Sequence, residues 1–343
     1  MQISYFDYYL PKELIAQFPE EKRDNSRLLV LDRKIGKIEH RIFYEIVDYL
    51  NPEDTLVLNN TKVIPARLYG FKERTKGKIE VFLLERIDDF TFRVLLRTRG
   101  KIKTGERIVF GDGILSGKIK DLDKEGFRLF EFEEDGLLFE KINKVGKIPL
   151  PPYIKREPLD LDEERYQTVY ASKEGAVASP TAGLHFTPEL LKKIIEKGIN
   201  ITYVTLHINY ATFNPVKEED ISKHKMYREY FEFPKETARV IRETREKGKR
   251  ILAVGTTSCR VLETVANLNK ELSATKGWTD LFIYPPYVFK LTDMLLTNFH
   301  FPKSTLLMLV SAFCGSDIWK KAYKEAIEKK YRFYSYGDAM LII

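Results

Sequence analysis

Histidine is the side chain whose ordinary pKa lets it give or take a proton near neutral pH, and this sequence has five. Three of them stand in segments suited to chemistry. His185 lies in ASPTAGLHFT (178–187), a run of small and hydroxyl residues that permits a tight loop just before a helix start. A substrate anion could rest against the free amides there; the plainer reading is a loop histidine that satisfies a backbone carbonyl. His207 follows the apolar run 201–206, within TLHINYATF (205–213). If that run is a strand of an open α/β sheet, its carboxyl end is where ligands bind. A merely structural histidine at a strand end fits equally. His224 opens HKMYRE (224–229). The three histidines could be argued into a metal site, but no pair has ligand-like spacing and no CxxC accompanies them, so no metal is expected.

Three further segments carry usable side chains. GTTSCR (255–260) separates an apolar run from a helical pattern, so Thr257 or Ser258 can cap a helix while other amides face an anion. NNTKVIPAR (59–67) also follows an apolar run and offers Lys62 and Arg67 to a phosphate or carboxylate, with solvated charge as the alternative. Arg93, Arg97 and Arg99 share one face of a strand under period-two alternation, while Phe92, Val94 and Leu96 face the other way. Such a stripe could track a nucleic-acid backbone or simply be a polar outer face.

The elements that must position these residues fall into two textures. At roughly 100–200 residues per domain, 343 residues suggest two domains. Residues 70–147 read as short β-rich runs at 79–84, 91–96, 107–110, 114–119 and 127–132, punctuated by glycine and free of proline, which predicts a small barrel or sandwich. A proline cluster at Pro149, Pro151 and Pro152 marks the exit. Around that stretch the pattern alternates. Strands are predicted at 28–31, 55–58, 201–206, 251–254, 281–283 and 339–343, and helices at 43–50, 188–197, 236–247, 258–268, 305–313 and 317–330. Strand–helix alternation predicts a parallel or mixed sheet. The expected architecture is an α/β main domain, 1–69 plus 148–343, interrupted by an inserted all-β, barrel-like domain at 70–147.

Composition narrows the function. Apolar residues are 43% and charged residues 31%, with a net charge of +7 that permits an anionic partner without demanding one. The amino-terminal stretch does not read as a signal peptide and the longest apolar run, 306–314, is about half a membrane span. Two cysteines, Cys259 and Cys314, make no disulfide framework. A soluble cytoplasmic protein with no membrane contact is expected. The sequence has no GxxxxGK[ST], HExxH or GxSxG, and the glycines at 111–117 sit among predicted strands without a following helix, which disfavours nucleotide-loop, zincin and common hydrolase chemistry.

Taken in order, these segments resemble the S-adenosylmethionine:tRNA ribosyltransferase-isomerases of queuosine biosynthesis. The likeness runs through Phe6-Asp7-Tyr8, Arg23-Asp24, Ser26-Arg27-Leu28, 59–68 (NNTKVIPARL), 149–154 (PLPPYI), 166–171 (YQTVYA), 180–187 (PTAGLHFT), 204–207 (VTLH), 253–260 (AVGTTSCR), 297–305 (TNFHFPKST) and 332–340 (RFYSYGDAM). Departures occur at 208–211, at Tyr227 where the family has a second histidine, and at Pro285-Pro286 where it has Pro-Gly. The resemblance implies transfer and isomerisation of the ribosyl part of S-adenosylmethionine onto 7-aminomethyl-7-deazaguanine at the tRNA wobble position. Epoxyqueuosine would form, and methionine and adenine would leave. It implies S-adenosylmethionine as co-substrate, no prosthetic group, tRNA as partner, and a monomer. The proton carrier would be His185, with His207 and His300 as alternatives, and Asp338 would orient a partner or face the sulfonium. Thr181, Gly183, Thr256, Thr257, Ser258, Arg260, Asn298 and Tyr336 would line the substrate, with Tyr336 or Phe186 over the sulfonium. Lys62, Arg67, Arg97 and Arg99 would hold tRNA. The rival classes are a noncatalytic RNA-binding protein and a metal-dependent hydrolase built on His185, His207 and His224.

Overall fold

In this computed structural model the described residues are 1–124, 126–133, 136–209, 216–268, 271–315 and 317–343. Residues 210–213 of the second histidine segment lie outside them.

Apolar runs such as Leu56-Val57-Leu58 and Ile251–Val254 are buried throughout, which suits strands covered on both faces. They form the middle of a nine-stranded sheet. Its order is Thr275–Thr279, Glu229–Phe233, Asn200–Leu206, Thr55–Asn59, Ile251–Val254, Met294–Asn298, Ala339–Ile342, Arg27–Asp32 and Lys37–Ile42. The four strands from Asn200–Leu206 to Met294–Asn298 run parallel. Alternate residues feed opposite cores. Val57, Ala253 and Leu295 pack with helices Lys235–Glu246, Gly255–Leu268 and Thr305–Cys314. Leu58, Leu252 and Leu296 pack with Phe43, Ile46, Leu190 and Ile194 on the other face. Thr187 caps the helix Pro188–Glu196 by accepting from the Leu190 amide at 3.1 Å, as its position before a proline predicts.

The second sheet closes on itself. Arg67–Lys72, Lys78–Arg86, Thr91–Thr98, Arg128–Phe132, Leu115–Leu122 and Arg107–Phe110 pair in that order, and the last returns to the first. Inward residues Val81, Val94, Ile108, Phe110, Ile119 and Phe130 fill the barrel. The amphipathic helix Leu138–Val145 adds Leu138 and Ile142 to that core. Among the described residues none of these strands pairs with the nine-stranded sheet. The inserted barrel in an α/β frame is therefore the architecture observed, and its first strand begins at Arg67, inside the segment expected to be an anion-binding loop.

Several elements differ from expectation. The helix expected at 43–50 is a 3-10 helix over Phe43–Tyr49, and the strands Glu229–Phe233 and Thr275–Thr279 at one end of the sheet are not among those expected. Residues 281–283 are loop, because Pro285 and Pro286 follow closely and the Leu281 carbonyl accepts from Arg260 rather than from a strand. The sheet position belongs instead to Met294–Asn298. The helix expected at 258–268 begins at Gly255, which puts Thr257 and Ser258 inside its first turns rather than at its cap.

Candidate active site

The carboxyl ends of the four parallel strands deliver Asn59-Asn60-Thr61, His207, Gly255-Thr256-Thr257 and Asn298-Phe299-His300 to one edge. Strand order reverses around Thr55–Asn59, the kind of switch point where open α/β sheets bind ligands. Asn59 ties the edge together. Its Nδ2 donates to the Leu206 carbonyl, and its Oδ1 accepts from the amides of Thr61 and Leu206, all at 3.1 Å.

Thr61 Oγ1 in turn lies 2.8 Å from His207 Nδ1 and donates to the Lys173 carbonyl at 3.5 Å. With that hydroxyl as acceptor for Nδ1–H, Nε2 of His207 carries the lone pair. The ring stacks on Tyr230 at 5.8 Å and 18°. It also fills space that only a glycine leaves open, since a Cβ on Gly175, at φ +145°, would meet the ring at 2.9 Å. Burial lowers the His207 pKa, with Glu232 opposing and Lys173 adding, so the imidazole is neutral and able to accept a proton. It faces a cavity of about 260 Å³ shared with Ile64, Phe92, Phe139 and Trp278.

A second cavity lies beside Asn298. Thr181, Thr256, Thr257, His300, Phe301 and Tyr334 are among its walls. Tyr153 and Tyr334 sit with ring centroids 4.6 Å apart, and Phe301 meets Tyr334 edge-on at 5.9 Å. Ser179 Oγ, Thr257 Oγ1 and Asn298 Oδ1 are buried there without a partner among the described residues. Leaving such atoms unpaired costs about 1–3 kcal/mol each, a cost that a bound ligand would offset. His300 keeps Nε2 2.7 Å from Thr297 Oγ1, and burial pushes its pKa down to about 3.

Between the two cavities stands Arg260. One guanidinium nitrogen pairs with Glu229 and Nε donates to Leu281, while Nη2 is buried without a partner. Thr256, Thr257 and Leu306 are shared with the Asn298 cavity, and Asn209 with the His207 cavity, so one groove runs along the edge.

Several expected site residues sit elsewhere. Both nitrogens of His185 are engaged: Asn298 Nδ2 donates to Nε2 at 3.3 Å, and Nδ1–H donates to Ser26 Oγ at 2.7 Å. Its ring stacks on Phe43 at 4.9 Å, and burial, aided by Arg332, lowers its pKa to about 3. Asp338 spends its two oxygens on the amides of Arg27 and Arg332, at 2.9 and 2.7 Å, holding backbone rather than facing a ligand. Burial nevertheless raises its pKa. Tyr336 gives its hydroxyl to Asp162 at 2.6 Å, and Phe186 is fully buried against Phe43, so neither ring reaches the groove. Gly183 is small for packing, because a Cβ would lie 2.1 Å from the Tyr170 hydroxyl. Ser258 is fully buried and lines none of these cavities. His224, by contrast, lines the groove beside Arg260, edge-on to Phe282, and no cluster of three metal-ligating side chains occurs among the described residues.

Of the tRNA candidates, Lys62 pairs with Glu174 at 3.0 Å and Arg67 with Glu80 at 3.1 Å. Arg97 is exposed on the barrel strand, with Arg99 exposed just beyond it, and neither is ion-paired among the described residues. The aromatic trio Tyr153, Phe301 and Tyr334 does not stand out in the sequence, although each lies within a segment of the family resemblance.

The chain matches the family profile described as "Queuosine biosynthesis protein" over residues 3–342. It is 54% identical over 343 residues to the S-adenosylmethionine:tRNA ribosyltransferase-isomerase of a Sulfurihydrogenibium species, covering all of both chains. The enzyme of the same name from Clostridium kluyveri is 52% identical over 342 residues, again covering both fully. The crystal structure of S-adenosylmethionine tRNA ribosyltransferase from Thermotoga maritima aligns with 45% identity and a TM-score of 0.58, over 99% of this chain and 100% of that one. No helix among the described residues is long and apolar enough to cross a membrane.

Proposed function

The chain belongs to the queuosine biosynthesis protein family, and on that premise we propose that it is an S-adenosylmethionine:tRNA ribosyltransferase-isomerase that modifies 7-aminomethyl-7-deazaguanine at the wobble position. The observation that carries this reading is the groove along the carboxyl edge. It has aromatic rings at one end, a buried unpaired guanidinium nitrogen in the middle, and a neutral histidine at the other end.

Adenine packs against the aromatic wall formed by Tyr334, Tyr153 and Phe301, and Asn298 Oδ1 accepts from its amino group. Arg260 Nη2 and Thr257 Oγ1 take the methionine carboxylate. His185 acts as a positioning residue, because its bond to Asn298 Nδ2 fixes which way that amide faces. His207 Nε2 removes a proton from the carbon that the sulfonium acidifies. Adenine then leaves with the glycosidic electron pair and takes up a proton from solvent, with His300, kept neutral by burial, as a hydrogen-bonding neighbour rather than the acid. The carbanion's pair opens the ribose C4′–O bond to a vinyl sulfonium, and the freed oxygen becomes the C1′ carbonyl as adenine departs. The amine of the modified base then adds at C4′ and loses a proton, and the C5′ carbanion so formed closes the carbocycle on C1′. Closure of the epoxide expels methionine with the carbon–sulfur pair, which cancels the sulfonium charge. Co-substrate and tRNA supply the reacting atoms, and the chain binds, orients and moves protons.

The test is product balance. With S-adenosylmethionine and tRNA carrying the modified base, methionine and adenine should appear in equal amounts, and the RNA should gain the ribosyl-derived mass. Release of neither product would overturn the reading.

A further inference from the structure

Beyond the groove lies an open cleft of about 920 Å³, whose walls come from both sheets of the molecule. The barrel strand Thr91–Thr98 contributes Arg93 and Leu95, and the other wall carries Lys225, Tyr227, Arg228 and Trp278. Leu95 and Tyr227 are each 44% exposed and Trp278 42%, so three large apolar side chains meet solvent in one place. Such a concentration marks an interaction site rather than scattered surface. Lys225 and Arg228 are exposed and make no ion pair among the described residues. The cleft opens directly onto the His207 cavity, because Trp278 and Arg228 line both. Tyr230 links the two, stacked on His207 and edge-on to Trp278 at 5.7 Å.

Aromatic faces beside unpaired cations recognise single-stranded nucleic acid, whose splayed bases stack while phosphates meet the charge. The arrangement suits neither a lipid surface, which needs a convex apolar face, nor an acidic peptide, which has no bases to stack. A nucleotide whose modified base reaches His207 must leave its neighbours in the outer cleft. We propose that Trp278 is the stacking platform for a base adjacent to the modified nucleoside, with Lys225 and Arg228 on the flanking phosphates. This rests on the reading that the chain acts on tRNA. It adds a contact separate from Lys62, Arg67, Arg97 and Arg99.

The sequence has only two tryptophans, and Trp319 is fully buried. Fluorescence quenching by a synthetic anticodon stem-loop with unmodified guanine therefore reports on Trp278 alone. The parent should quench on titration, and Trp278→Phe should not. Trp278→Ala should raise the tRNA KM about tenfold, as removal of one stacking platform does, with the S-adenosylmethionine KM close to the parent's. Trp278→Phe should recover most of that affinity, because it keeps a ring. Undiminished quenching in Trp278→Phe, or a tRNA KM within twofold for Trp278→Ala, would overturn the proposal. If the parent released neither methionine nor adenine, the ribosyl-transfer reading would fall, and the quenching would still decide whether RNA stacks on Trp278.

Discussion

In the barrel, Arg93 sits between Glu85 and Asp123, Arg107 between Glu73 and Glu133, and Lys120 beside Glu131. At the sheet's carboxyl edge, Ser179, Thr257, Asn298 and Arg260 hold buried polar atoms that no described residue pairs, and His185 and His300 have pKa values near 3. A polar face laced with its own ion pairs suits a scaffold. Unpaired buried groups are tolerated where a ligand completes them. The contrast supports placing the chemistry on the sheet, with Arg97 and Arg99, unpaired among the described residues, as the barrel cations proposed to share in RNA binding.

The strongest way to break that contrast is at His207. Replacement by Asn keeps a hydrogen-bonding group for Thr61 but removes the titrating nitrogen. Turnover should fall by at least about 10²-fold, with tRNA affinity and melting temperature near the parent's. Because burial lowers the His207 pKa, the acidic limb of the parent's kcat profile should lie below the ordinary value of 6.5, with rate lost as pH falls through it. An Asn variant within a few-fold of the parent, or an unshifted acidic limb, would remove His207 from proton transfer.

How much of this is legible in the sequence follows the range of each interaction. Period-two alternation at Phe92, Val94 and Leu96 announces the barrel, and Thr187 before Pro188 announces a helix start, because both signals are local. The strand-end position of His207 is also readable. The roles of Asn59 and His185 are not. Asn59 binds a strand 147 residues away, and His185 is fixed by Ser26 and Asn298, which lie 159 and 113 residues off. No local pattern carries a partner at that distance. Tyr153 and Tyr334 meet across the same kind of separation, so their pairing needs the fold.

A smaller effect sharpens the reading of His185 as a positioning residue. Its folded pKa near 3 lies below the ordinary 6.5, so between those values the unfolded chain binds a proton that the folded chain refuses. Stability from this source is complete above about pH 6.5 and is lost as pH falls, at about 1.4 kcal/mol per unit for each such histidine. His300 behaves alike. Urea unfolding at pH 6 and pH 4.5 should show His185→Asn less stable than the parent at the higher pH, with a pH slope shallower by one proton. The variant should also raise the S-adenosylmethionine KM several-fold while leaving the kcat profile's pH midpoint in place. A moved midpoint would return proton transfer to His185.

The smallest effect tests the barrel's share of RNA binding. Each phosphate that a cation no longer neutralises lowers the slope of log affinity against log salt by about 0.7–0.9. Arg97 and Arg99 pair with no carboxylate among the described residues, so Arg97→Ala/Arg99→Ala should reduce the slope by the full amount for two phosphates. Lys62 and Arg67 already sit on Glu174 and Glu80. Reaching a phosphate would mean exchanging one anion for another, and removing either cation leaves an extra negative charge facing the RNA. Lys62→Ala and Arg67→Ala should therefore weaken binding while changing the slope by less than one phosphate's worth. If either single variant instead weakens S-adenosylmethionine binding at constant slope, that side chain serves the small substrate. Equal slopes for the arginine double variant and the parent would leave the barrel as scaffold alone and move the RNA-binding cations to the cleft around Trp278.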